Sequence, residues 1–198
     1  MPLLTTQSAK GYGFGSLVTA AVTGAYESIA TLYGTGTQTV SFTSIPATYK
    51  HLEVRVLARD TGSGTDSDGI GVQFNGDTGA YYWHQAGFTY QGNNVAVGAA
   101  TSALTYIDAG LAKDGGDTAG LFGYNIYRIQ DYTSTVKMKT LMSTTGSSNL
   151  NNAGYVFQNY GMYTNGNSSA INRIDFKSLG ANPAFNTTSR FMLFGIKG

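Results

Sequence analysis

An all-β fold, a two-sheet antiparallel β-sandwich of jelly-roll type with an extended N-terminal arm, is predicted by three observations. Leu52, Val54, Val56 and Ala58 alternate with Glu53, Arg55, Leu57 and Arg59, and period two over that length means a strand with one face in a core. Turn signals rich in Gly, Asn and Asp recur about every dozen residues and delimit on the order of nine or ten strands, with no long amphipathic helix between them. Glycine at 27 against 3 prolines, with few charges, is the composition of short strands joined by tight turns. An up-and-down barrel is the second architecture. The absence of a fixed-period repeat argues against a propeller or β-helix.

Taken in order, residues 1–23 show no sustained period, and GYGFG at 11–15 interrupts any helix or strand. They read as an arm that docks through Leu3, Leu4, Tyr12 and Phe14; an unanchored tail is the alternative. Residues 24–198 read as one sandwich domain. Segments 26–33 (YESIATLY) and 38–42 (QTVSF) flank GTGT and predict a hairpin. The long strand from about Lys50 follows, taken as central in its sheet. Asp60 to Gly69 is a loop by composition, after which Ile70, Val72 and Phe74 share a face before the turn Asn75-Gly76-Asp77.

Residues 80–91 (AYYWHQAGFTYQ) are dense in aromatics and fit neither period. Weaker strands are predicted at 94–97 and 103–108, then the turn KDGGD at 113–117. Phe122, Tyr124 and Ile126 fall on one strand face, with Tyr127 and Ile129 on the other. In 135–144 the apolar phase places Val136, Met138 and Met142 inward and Lys137 and Lys139 outward. GYVFQNYGMYT, INRIDFKSL with Ile174 and Phe176 on one face, and RFMLFGIK complete the strands.

The chemistry-bearing residues are sparse. The chain has no cysteine, and histidine occurs only at His51 and His84, so thiolate nucleophiles and zinc spacings are excluded and no nucleophile elbow is present. Glu27 and Glu53, the only glutamates, are expected on exposed strand positions, which disfavours a carboxylate pair. GYGFG lacks the strand-to-helix context of a dinucleotide fingerprint. Asp60, Asp66 and Asp68 offer hard oxygen ligands for calcium but lack EF-hand spacing, so a solvated turn is expected. No catalytic, cofactor or metal residue is assigned, and a non-enzymatic role is expected. Tyr81, Tyr82, Trp83 and His84 form the one candidate surface, a platform for a glycan or a protein partner; the same rings also serve a core or an intersubunit contact.

Twelve basic residues against eleven acidic ones leave a net charge of +1, which gives no global attraction for nucleic acid or an anionic membrane. No apolar run approaches the roughly 20 residues of a membrane helix, and residues 1–22 lack the pattern of a signal peptide. Low charge with high aromatic content suits a surface covered by neighbours.

Several phrases carry a resemblance: SFTSIPATYKHLEVRVLARD, a strand ending in FNGDTG before YYWH, and RFMLFGIKG at the end of the chain. In this order they resemble small structural proteins of tailed-bacteriophage virions, over most of the chain after about Tyr26. The resemblance implies a β-sandwich on the particle exterior, made in the host cytoplasm, as a capsid decoration (cement) protein or a tail or fibre component. The implied partners are further copies of the chain, with a homotrimer favoured, the major capsid protein or other virion proteins, and in the tail reading a host surface glycan.

Overall fold

The computed structural model describes residues 25–64, 66–90, 94–97, 101–148, 154–167, 169–180 and 184–198. The predicted arm, with Leu3, Leu4, Tyr12 and Phe14, lies outside them. In chain order the strands are β1 (Tyr26–Tyr33), β2 (Thr39–Phe42), β3 (His51–Ala58), β4 (Ser67–Phe74), β5 (Tyr82–Tyr90), β6 (Asn94–Val97) and β7 (Thr101–Leu104). They continue with β8 (Ile107–Lys113), β9 (Gly123–Ile129), β10 (Lys139–Ser148), β11 (Gly154–Tyr163), β12 (Ile174–Ser178) and β13 (Arg190–Ile196).

Two antiparallel sheets pack as a sandwich, as the sequence predicts. The large one runs β1-β13-β3-β9-β10-β11-β5-β6, with β7 also paired to β5; the small one runs β2-β12-β4-β8. β3 lies inside the large sheet between β13 and β9, and Leu52, Val54, Val56 and Ala58 are fully buried. Opposite them, β4 and β12 bury Ile70, Val72, Phe74, Ile174 and Phe176. Phe176 of the small sheet lies 5.1 Å from the Tyr127 ring and 5.5 Å from the Phe191 ring of the large one, and such tilted ring pairs add to the gain from area burial.

The predicted hairpin of 26–33 and 38–42 does not form. β1 pairs with β13 in the large sheet and β2 with β12 in the small one. The intervening GTGT crosses between layers, held by bonds from Gly34 N to Ser189 O and from Gly36 N to Phe185 O, both 3.0 Å. The weak segment at 103–108 straddles a break between β7 and β8, and β8 runs on to Lys113, which the sequence reading assigned to a turn.

The phase of β10 is the reverse of the expected one. Lys139, Leu141, Ser143, Thr145 and Ser147 point inward, whereas Val136, Met138 and Met142 are exposed. The inward row is polar because it hydrogen-bonds across the sandwich: Ser143 Oγ donates to Ala109 O at 2.6 Å, and the hydroxyls of Ser147 and Ser67 lie 2.9 Å apart. Buried polar groups are tolerated when paired in this way. The Lys139 ammonium donates to the carbonyls of Ser134 and Lys137. On β9, Tyr127 and Ile129 face the core, while Tyr124 is exposed and Ile126 half-buried.

The ends of the described chain meet at one edge, where Lys197 N donates to Ala25 O at 3.0 Å.

Candidate functional site

The outward face of the large sheet concentrates exposed apolar side chains. Strand registers place Leu57, Tyr124, Gly146 and Val156 in one transverse row and Glu53, Arg128, Met142 and Tyr160 in another. Trp83 lies opposite Met162, and Gln85 opposite Tyr160. Met142, Val156, Tyr160, Trp83 and Tyr124 each expose between 42% and 55% of their surface. A cleft among them is lined by Trp83, His84, Gln85, Tyr160 and Met162.

Strand alternation divides the four candidate residues at 81–84. Tyr81 precedes β5 and is exposed, as is Trp83. Tyr82 is fully buried, which removes it from any contact surface. Its hydroxyl donates to Asp77 O and accepts from Phe74 N, and its ring stacks on Tyr163 at 4.8 Å. It therefore fixes the Asn75-Gly76-Asp77 turn from inside, with the hydroxyl of Tyr163 donating to Asp77 Oδ2 at 2.6 Å. His84 is half-buried, its Nδ1 accepts from Asp108 N at 3.3 Å, and burial lowers its pKa below the usual histidine value. The sequence reading missed Tyr160 and Met162 as companions of Trp83, although the alternation of Val156, Gln158, Tyr160 and Met162 carries that signal.

Two other expectations are corrected. Glu53 is 1% exposed rather than a surface residue. It accepts from the Tyr26 hydroxyl at 2.8 Å and from the Arg55 and Arg128 guanidinium groups at 2.8 and 3.1 Å. Burial would raise its pKa, but these donors outweigh burial and lower it.

In the acidic loop Thr61, Ser63, Gly64 and Asp66 are exposed, as a solvated turn requires, but Asp60 and Asp68 turn away from solvent. Asp60, fully buried just after β3, meets Asp68 of β4 and buried Asp114 just after β8, with one oxygen from each within 4.8 Å of the others. The Asp66 carboxylate accepts from the Tyr155 hydroxyl at 2.7 Å, while its backbone N donates to Asp114 Oδ2 at 3.2 Å. Asp60 Oδ1 accepts from Gly62 N at 2.8 Å and Gly115 N at 3.3 Å. Burial is the largest cause in each case and raises the pKa of all three groups above the usual aspartate value; Asp114 adds to this at Asp60, Asp60 at Asp68 and Asp68 at Asp114, against hydrogen bonds that lower it.

No family model, curated protein or solved structure matches the chain.

Proposed function

We propose that this chain is a non-enzymatic structural protein of a tailed-bacteriophage virion, a capsid decoration protein that self-associates and holds neighbouring shell subunits together. The observation that carries the reading is the outward face of the large sheet, where Met142, Tyr160, Trp83, Tyr124 and Val156 stand exposed on adjoining strands. These side chains are interspersed with the exposed Thr144, Gln158 and Arg128, and a face that mixes exposed aromatics and methionine with polar groups suits protein contact, because aromatic and methionine side chains are enriched in interface cores. The phrases that resemble those of virion proteins and the near-neutral charge support the same reading. Each several hundred Å² of apolar surface covered by a shell subunit contributes several kcal/mol, at about 25 cal/mol per Å², before ordering costs.

The test is occupancy. The purified protein is mixed with particles that lack it, and bound protein is measured after sedimentation. Wild type is expected to bind, with Met142→Asp combined with Tyr160→Asp reducing occupancy at least tenfold. Equal occupancy by the double variant overturns the role of the face, and no binding by wild type to any particle overturns the capsid reading. Deletion of residues 1–15 tests the arm separately, and mass measurement in solution tests the trimer.

The cleft between Trp83 and Tyr160 favours a second reading, a glycan-binding module at a tail or fibre tip, because sugar faces stack on exposed aromatic rings. Here Trp83→Ala abolishes binding to host cells while assembly continues; unchanged adsorption counts against it.

A further inference from the structure

We propose that Asp60, Asp68 and Asp114 bind a hard divalent cation, calcium in preference to magnesium, that ties the end of the large sheet to the small one. The three carboxylates come from separate strand ends: Asp60 follows β3 of the large sheet, Asp68 belongs to β4, and Asp114 follows β8 of the small sheet. Asp60 N donates to Lys113 O at 2.8 Å, so the backbones already meet here.

The second observation is independent of the clustering. Asp60 is 0% exposed, and although its Oδ1 is taken by two backbone N–H groups, its Oδ2 is buried with no hydrogen-bond partner. A buried carboxylate oxygen left in this way is costly unless something positive faces it.

The flanking cations do not supply that charge. Arg59 directs its guanidinium to the carbonyls of Thr118, Leu121, Gly115 and Asp117, and the Lys113 ammonium pairs with Asp117 at 2.8 Å. Among the described residues, none of the three carboxylates has an ion pair with a basic side chain.

The cluster is also confined. A Cβ at Gly180 would lie 1.8 Å from Asp68 Oδ2, and one at Gly64 would lie 2.2 Å from Asp114 Oδ2, so backbone packs directly on the carboxylates.

Ligand chemistry and size select the ion. An all-oxygen set suits calcium or magnesium rather than zinc or copper. Calcium–oxygen distances of about 2.3–2.6 Å allow ligand oxygens to stand up to roughly 5 Å apart across the ion, whereas magnesium at about 2.0–2.1 Å allows only about 4 Å. Oxygens within 4.8 Å of one another lie near enough to share one ion, and calcium is preferred because its flexible coordination accepts an irregular three-carboxylate set completed by water, whereas magnesium demands near-ideal octahedral geometry.

The experiment is a calcium titration of the full chain after EDTA treatment, read by calorimetry and by the thermal unfolding midpoint. One saturable site is expected, with the midpoint rising by roughly 5–10 °C at calcium 100-fold above Kd. Asp68→Asn and Asp114→Asn, each checked for the wild-type circular dichroism spectrum, should bind at least tenfold more weakly. The wild-type measurement stands alone if a variant fails to fold: no saturable binding at millimolar calcium overturns the site. Unchanged affinity in both folded variants overturns the assignment of ligands. Tighter binding of magnesium than of calcium overturns the choice of ion.

Discussion

Asn125 of β9 holds Leu111 of β8 by both of its backbone groups. Leu111 N donates to Asn125 Oδ1 at 2.8 Å, and Asn125 Nδ2 donates to Leu111 O at 3.0 Å. The amide thus stands in for a strand partner across the two layers, and Thr145 of β10 adds a bond to the same Oδ1 at 2.8 Å. Asn125→Asp removes the donor and introduces a charge at a fully buried position. A loss of about 2–4 kcal/mol is expected, measured by urea unfolding; a loss within experimental error would show that the two sheets do not depend on this clasp.

Glu53 gathers Tyr26, Arg55 and Arg128 on the outward face of the large sheet. Both arginines are about half exposed, so solvent screens the pairs, and Glu53→Ala is expected to cost about 1–2 kcal/mol. Because the folded pKa of Glu53 is lowered, its stabilisation is present above the unfolded value near 4.5 and lost as pH falls through the folded value. Denaturant midpoints between about pH 3 and pH 6 should therefore slope less in Glu53→Ala than in wild type.

Asp108 has the opposite sign. Burial pushes its carboxyl from 3.8 up to about 6, so the folded state holds the proton more tightly than the unfolded chain. Its contribution is complete below the unfolded value and is lost as pH rises through about 6. Asp108→Asn keeps a neutral side chain there and is expected to stabilise the protein at about pH 7 by up to roughly 3 kcal/mol. Unfolding at about pH 4 and pH 7 checks this: the variant should gain at the higher pH and not at the lower.

The phase of β10 is open to a direct comparison. Leu141 is fully buried and Met142 is 55% exposed, so Leu141→Ala should cost about 2–5 kcal/mol and Met142→Ala less than about 1 kcal/mol. The reverse order in thermal or denaturant unfolding would restore the inward placement of Met142.

What could be read in the sequence follows from where apolar alternation coincides with burial. β3 and β4 are legible because Leu52, Val54 and Val56, and Ile70, Val72 and Phe74, are both the apolar and the buried rows. β10 misleads because Ser143, Thr145 and Ser147 find hydrogen-bond partners in facing strands or in Asn125, leaving its apolar methionine outside. The segment from Tyr26 to Phe42 looks like a hairpin because local turn chemistry does not reveal that its strands pair with β13 and β12, far along the chain. The acidic cluster is half legible: Asp60 and Asp68 share a loop region, but Asp114 joins them through long-range contacts, the pairing of β4 with β8 and the bridge between Arg59 and Lys113. Trp83 stood out as the single tryptophan, whereas its neighbour Tyr160 is brought to it by the ladder between β5 and β11.

The meeting of Lys197 with Ala25 gives the sandwich a mechanical character. β1 leads away from that corner and β13 returns to it, with Tyr26 opposite Ile196 and Tyr33 opposite Arg190. Tension that separates the two ends loads this ladder one rung at a time, as a zipper is opened, and meets little resistance at each step. Pulling Ala25 away from Lys197 is therefore expected to peel β1 from the sheet at low force.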